Sequence, residues 1–333
     1  LHLHTAREYS SLPHQPFPAH FPRYPSRSQV VEYLDAYAQP LHPFLRLAHP
    51  VARARHHEGR WELQTPNTLY RSSRLVVAAG YNCEANLPSW PDQERFQGEV
   101  LHSSRYRNGA PFKGKRVLVI GLGNSGGEIA LDLWESGAHP SLSVRSPIHV
   151  VPRDLFGRPL QASSILMSHL PVGLADALSM RIGRLVMGDL TRYGLRRPTM
   201  GPIAQVMKLG RVPLVDIGTV ALIKQGAIPV LRDVERFTEE GVVLTDGSRQ
   251  SFDVILLATG FRPRLDRWLE PSAELIDSRG YPRWFGQECP IPGLYFIGYR
   301  NPITGAFREA ALESVRVAND IAQKRTRRLP AGA

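Results

Sequence analysis

The chain has 333 residues, room for two domains of ordinary size, and it contains no apolar run near the roughly 18 residues that would read as a membrane-spanning helix. Its two cysteines, Cys83 and Cys289, form no C-x-x-C pair, which excludes a disulfide scaffold, a zinc ribbon and a dithiol reductase. The net charge of +11 is mostly arginine spread along the chain rather than gathered into a patch with stacking aromatics, so nucleic acid is not the expected partner.

The opening Leu1-His2-Leu3-His4-Thr5 has neither the charged n-region nor the apolar h-region of a signal peptide. It reads like the interior of a domain, so a segment upstream of it and a cytoplasmic location are expected. After Pro13, Pro16, Pro18, Pro22 and Pro25, Ser26 with Gln29 fits a capping box ahead of Val30, Tyr33, Leu34 and Tyr37 at helical spacing. Trp61 to Leu69 alternates weakly, and Arg74 to Gly80 reads as a buried strand ending in glycine. A Pro-punctuated connection over 81–112 leads into a Gly-rich unit at 115–146. Residues 160–210 are partly helical, and Leu174, Leu178, Ile182 and Leu185 predict a stripe facing the core. Short strands follow over Ala227–Leu231, Gly241–Leu244 and Phe252–Leu257, the last running into Ala258-Thr259-Gly260. Gly293 to Gly298 is a further strand ending in glycine. Gly305 then opens a helix to about Gln323, and Lys324 to Arg328 reads as a solvated helix end.

The Gly-rich unit carries the most information. The apolar strand Arg116-Val117-Leu118-Val119-Ile120 runs into Gly121-Leu122-Gly123-Asn124-Ser125-Gly126, and a helical pattern with Ile129, Ala130, Leu133 and Trp134 follows. This G-x-G-x-x-G context predicts dinucleotide binding: Gly121 for the tight turn, Gly123 for approach of the pyrophosphate, Gly126 for close helix–strand packing. The helix N-terminus adds unpaired N–H groups and a positive dipole end. The next strand is predicted over Leu142–Ser146, where enzymes using NADH place an acid for the ribose 2′-hydroxyl. Arg145 and Ser146 stand there instead, and a guanidinium suits the 2′-phosphate of NADPH.

Gly123-Asn124-Ser125-Gly126-Gly127 also spells the G-x-S-x-G elbow of an α/β-hydrolase, with Ser125 as nucleophile. That reading needs a late histidine, and only His139, His149 and His169 follow Ser125. The scattered histidines, His56-His57 included, lack metal-ligand spacing, so no metal is expected.

Longer patterns resemble the flavin-containing monooxygenases, and within them the YUCCA-type enzymes and their bacterial relatives. Phe96, Gly98, His102 and Tyr106 fit F-x-G-x-x-x-H-x-x-x-Y, Gly121 to Glu128 fits G-x-G-N-S-G-x-E, and Asp253 to Phe261 fits D-x-x-x-L-A-T-G-F. Tyr193 to Pro198 and Val215 to Thr219 look like YUCCA-type sequence. The resemblance implies an α/β fold of two Rossmann-like dinucleotide-binding domains, an NADPH domain over 112–258 inserted into an FAD domain over 1–111 and 259–330. Family members open with their own G-x-G-x-x-G for FAD. No such motif lies in residues 1–120, and a strand–glycine–helix unit is therefore expected upstream.

The resemblance further implies a monooxygenase in which NADPH reduces FAD and a flavin hydroperoxide passes oxygen to a small organic substrate. An aromatic 2-oxo acid suits the YUCCA-type likeness, and amines or sulfides suit the wider family. By position, Gly121, Gly123, Asn124, Ser125 and Gly126 cradle the NADPH pyrophosphate, with Arg145 and Ser146 on the 2′-phosphate. Gly298, Gly305 and Ala306 let the closing helix approach the flavin, while Gly80, Thr259 and Gly260 shape the crossings between domains. His4 matches a position that is His in the YUCCA-type enzymes, near the flavin, against the plainer reading of an exposed residue. His102 and Tyr106 are expected to be architectural. The second reading is a flavin-free NADP(H)-binding module.

Overall fold

The structure is a computed structural model that describes residues 2–271, 273–300 and 302–328, with side chains described to Lys324. Leu1 and residues 329–330 of the expected first domain, and the side chains of the terminal basic run after Lys324, lie outside the described residues. Two compact units result: the residues up to Glu84 with those from Phe261 onward form one, and Ala85–Gly260 the other.

The first unit holds a four-stranded sheet in the order Leu269–Glu270, Arg53–His57, Arg60–Gln64, Leu69–Ser72. Its core gathers Trp61, Leu75, Val77, Leu265, Leu269, Leu294 and Phe296, and the Trp61 indole donates to the Pro292 carbonyl (3.1 Å). A buried indole needs such a partner for its N–H. Leu75–Val77 pairs in parallel with Leu294–Phe296. The N-terminal helix Arg27–Ala38 starts with the expected capping box between Ser26 and Gln29. Tyr33 anchors it, its ring stacked on Phe17 (3.9 Å between centroids) and its hydroxyl donating to the Gln15 carbonyl (2.7 Å).

The second unit is built on a five-stranded, all-parallel sheet in the order Val230–Leu231, His139–Ser143, Arg116–Ile120, Val254–Leu257, Glu99–His102. Residues 85–111 join this unit because Glu99–His102 is its edge strand. Residues 117–120 and the strand Val254–Leu257, at the centre of the sheet, are apolar and buried, as a parallel sheet covered on both faces requires. From Arg116–Ile120 the chain passes to a strand on one side, and Val254–Leu257 lies on the other, so the strand order reverses between them. In an open parallel sheet that is where a ligand crevice opens, beyond the C-terminal ends of the strands.

Two sequence expectations change. The strand predicted over Leu142–Ser146 is His139–Ser143, so Arg145 lies just past its end. Pro140 within the strand obscured its start. The leucine stripe of the helix Val172–Met187 does not face the core: Leu174, Leu178 and Leu185 are exposed, while Ala175, Asp176 and Met187 are the buried positions. Among the described residues no helix is long and apolar enough to cross a membrane.

Candidate functional site

Each glycine of the Gly121–Gly126 turn has its own physical reason. Gly121 takes φ +104°, and a Cβ there would lie 2.6 Å from the Ala258 carbonyl oxygen. At Gly126 a Cβ would stand 2.1 Å from the Gly121 carbonyl oxygen, so the helix Asn124–Glu135 can close on the strand only with glycine there. Gly123 faces open space, with nothing within 4 Å of a Cβ. The first two glycines are thus required by the protein's own backbone, and the third leaves room for something from outside. Beside it the helix presents its first-turn N–H groups, which have no intrahelical acceptor. The Asn124 carboxamide accepts from the Val215 N–H (2.8 Å) and is engaged in folding, whereas Ser125 is exposed.

A pocket of about 390 Å³ lies beyond the neighbouring strands, lined by Arg145, Arg196 and Arg232 with Asp233, Thr245, Asp246 and Ser248 among its polar walls. Three arginines thus line the pocket beside two aspartates, and a guanidinium is a bidentate donor that suits phosphate. Arg196 donates to the Arg145 carbonyl, tying two of the three together. Ser146 does not line this pocket. Sequence reading missed Arg196, Arg232 and Ser248, since nothing in their spacing ties them to Arg145.

Behind the crevice, His102 is buried and bridges two segments. Its Nε2 donates to the Gly260 carbonyl oxygen (3.0 Å) and its Nδ1 accepts from the Ser104 N–H (3.1 Å). These partners fix the tautomer, and burial holds the imidazole pKa below its ordinary value. The same carbonyl accepts from the Asn86 N–H (2.9 Å), and the Thr259 hydroxyl donates to the Asn86 carbonyl (2.6 Å). Tyr106 donates to Asp132 (2.5 Å) and stacks on Phe112, and burial together with that carboxylate pushes its pKa far up. Phe96 packs edge-on against Phe237, and Gly98 passes so close that a Cβ would meet the Asp253 carbonyl oxygen at 2.5 Å. Asp253 is held in the carboxylate form by Arg116, which donates from its backbone N–H (2.7 Å) and its guanidinium (3.1 Å). None of these groups is free for proton transfer. His102 and Asn86 together clamp the Thr259-Gly260 turn.

In the first unit, Gly80 and Gly298 follow the paired strands Leu75–Val77 and Leu294–Phe296 with φ of +74° and +78°. Gly305 (φ +101°) precedes the long helix that begins at Ala306. The Gly298 N–H donates to Glu313 on that helix (2.9 Å). The Glu313 carboxyl is fully buried, and burial raises its pKa. His4 is half-buried rather than exposed.

Among the described residues no histidine hydrogen-bonds Ser125: His149 hydrogen-bonds the Met200 carbonyl (2.8 Å), and His139 and His169 are exposed. Among the described residues no group of three His, Cys, Asp or Glu side chains could hold a metal.

Comparison with known proteins gives one consistent picture. The profile described as flavin-binding monooxygenase-like matches residues 1–319. An indole-3-pyruvate monooxygenase of Oryza sativa subsp. indica, YUCCA8, is 38% identical over 97% of this chain and 80% of its own length. The probable indole-3-pyruvate monooxygenase YUCCA3 of Arabidopsis thaliana is 35% identical over 97% and 76%. Among solved structures, a flavin-containing monooxygenase from Stenotrophomonas maltophilia superposes with TM-score 0.70 at 22% identity, covering 96% of this chain and 85% of that one. Cyclohexanone monooxygenase from Rhodococcus sp. Phi1 bound to NADP+ gives 0.68 at 17%, covering 97% and 76%. At such identities these two carry the fold alone.

Proposed function

Because the chain belongs to the flavin-binding monooxygenase-like family, we propose that it is an FAD- and NADPH-dependent monooxygenase acting on an aromatic 2-oxo acid. The observation that carries this reading is the open face of Gly123 beside a helix N-terminus, on the same sheet edge as the pocket of three arginines. The fit to NADPH is direct. Open space at Gly123 and the adjacent N–H groups suit a pyrophosphate, and Arg145, Arg196 and Arg232 suit a 2′-phosphate. We assign the unit Ala85–Gly260 to NADPH, and to FAD the unit containing Gly80, Gly298, Gly305 and Ala306. The positive-φ turns at the ends of its paired strands suit close approach of a cofactor.

FAD, when bound, supplies the electron transfer and oxygen chemistry. The chain's own contribution is to bind, orient and exclude water. The turn at Gly121–Gly126 sets the pyrophosphate, and the arginine pocket selects the phosphorylated ribose. The His102–Gly260 clamp fixes the turn that follows the Val254–Leu257 strand. We take His4, half-buried in the first unit, as a residue near the flavin. A cytoplasmic location goes with this reading.

The substrate class is that named for the plant relatives. The test is aerobic turnover of the full-length protein with NADPH and an aromatic 2-oxo acid. Substrate-dependent loss of NADPH and oxygen in equal amounts is expected, one oxygen atom entering the product and the other leaving as water. Covalent labelling of Ser125 by a serine-directed phosphonate, with ester hydrolysis abolished by Ser125→Ala, would favour the hydrolase instead.

A further inference from the structure

The helix Val172–Met187 is amphipathic in the wrong direction for a helix that serves only the core. Ala175, Asp176 and Met187 face the protein, and Asp176 accepts the Ile203 and Ala204 N–H groups (2.7 and 3.1 Å), capping the helix Pro202–Leu209 beside it. At 100° per residue, Leu174, Leu178, Ile182 and Leu185 form one narrow stripe well away from Asp176. Three of the four are exposed, Leu174 by 58%, Leu178 by 42% and Leu185 by 81%. Leu166 and Met207, on the flanking helices, are exposed as well.

Charge accompanies the stripe. Arg181 and Arg184 lie along one side of it, exposed and without an ion pair among the described residues. Residues 155–213 carry seven arginines and one lysine against two acids, Asp176 and Asp189. Asp176 is buried in its cap, and Asp189 is taken up by Thr191 (2.6 Å). An exposed leucine row edged by cations is the surface of a helix that lies in a lipid interface, leucines in the acyl boundary and arginines at anionic headgroups. A second copy of the chain fits less well, because a two-fold contact would set arginine rim against arginine rim, and Asp189, the exposed acid of residues 155–213, is already engaged by Thr191. Nucleic acid fits less well again, because the stripe offers no aromatic ring for stacking.

We propose that this face, centred on Leu174, Leu178 and Leu185 and bordered by Arg181 and Arg184, docks the protein peripherally on an anionic membrane surface. The inference does not depend on the cofactor assignment. It is tested by co-sedimentation of the full-length protein with phosphatidylcholine vesicles, with and without phosphatidylglycerol. Binding to the anionic vesicles that weakens with added salt is expected. Arg181→Gln with Arg184→Gln should weaken it about fivefold per arginine. The triple variant Leu174→Ser, Leu178→Ser, Leu185→Ser should reduce it by at least about tenfold. Because these leucines are exposed, the triple variant should melt with the wild type, which separates lost docking from lost folding. Absence of binding to anionic vesicles, or binding equal in wild type and both variants, overturns the proposal. So does a concentration-dependent dimer that the serine variant abolishes, which would assign the face to a second copy.

Discussion

The His102 imidazole donates to the Gly260 carbonyl oxygen across 3.0 Å and so joins the edge strand of the parallel sheet to the turn that follows the strand beside it. His102 is neutral there because burial disfavours its charged form. The unfolded chain binds a proton near pH 6.5 that the folded chain refuses until lower pH. Its contribution to stability is therefore complete above about pH 6.5 and is lost as the pH falls through the folded-state pKa. Denaturant titrations at pH 7.5 and 5.5 should show wild type losing more stability on acidification than His102→Ala. At neutral pH the variant should be less stable by about 1–3 kcal/mol. Equal acid sensitivity in the two proteins would remove His102 from this role.

Gly126→Ala and Gly123→Ala should separate folding from ligand binding. A methyl at 126 meets the Gly121 carbonyl oxygen and should cost about 1–3 kcal/mol or more, read as a lower Tm. A methyl at 123 meets nothing in the protein, so Tm should hardly move while NADPH affinity falls. A large Tm loss at 123, or undiminished NADPH affinity, would contradict the assignment of that open space.

Why these glycines could be read from the sequence is physical: their spacing encodes backbone geometry, which is local. The same holds for Ser26 and Gln29, whose capping box is complete within four residues. What the sequence withheld is long-range. Arg232 and Ser248 line the pocket with Arg145 only because Val230–Leu231 pairs with His139–Ser143 and a meander folds back beside it. The leucine stripe showed that a helix has an apolar face, and periodicity alone does not say which way that face points.

Arg145→Ala should weaken NADPH far more than NADH, by about ten- to a hundredfold, the equivalent of one charge-assisted contact of roughly 1.5–3 kcal/mol. Arg196→Ala and Arg232→Ala should move affinity in the same sense. Ser146→Ala, outside the pocket, should move it less. Titration with both nucleotides checks the series, and equal losses for NADPH and NADH would detach the arginines from the 2′-phosphate.

Glu313 is fully buried, and burial raises its pKa against the opposing pull of the Gly298 N–H and the Arg300 and Arg316 guanidiniums. A carboxyl shifted upward contributes stability that is full below its unfolded-state pKa, near 4.5, and is lost as pH rises through the folded value. Glu313→Gln keeps an acceptor for the Gly298 N–H and carries no charge at any pH. It should equal or exceed wild type in Tm at pH 8, whereas Glu313→Ala, leaving that N–H unpaired, should fall below both. A Gln variant that melts well below wild type at pH 8 would show that the ionised carboxylate is what the fold needs.

The most direct test of the central claim is anaerobic addition of NADPH to the purified full-length protein while its visible absorbance is followed. The account predicts an oxidised-flavin spectrum that bleaches on NADPH, much faster than on NADH, and returns when oxygen is admitted. A colourless protein that binds NADPH and shows no flavin band to bleach would contradict it and leave an NADP(H)-binding module.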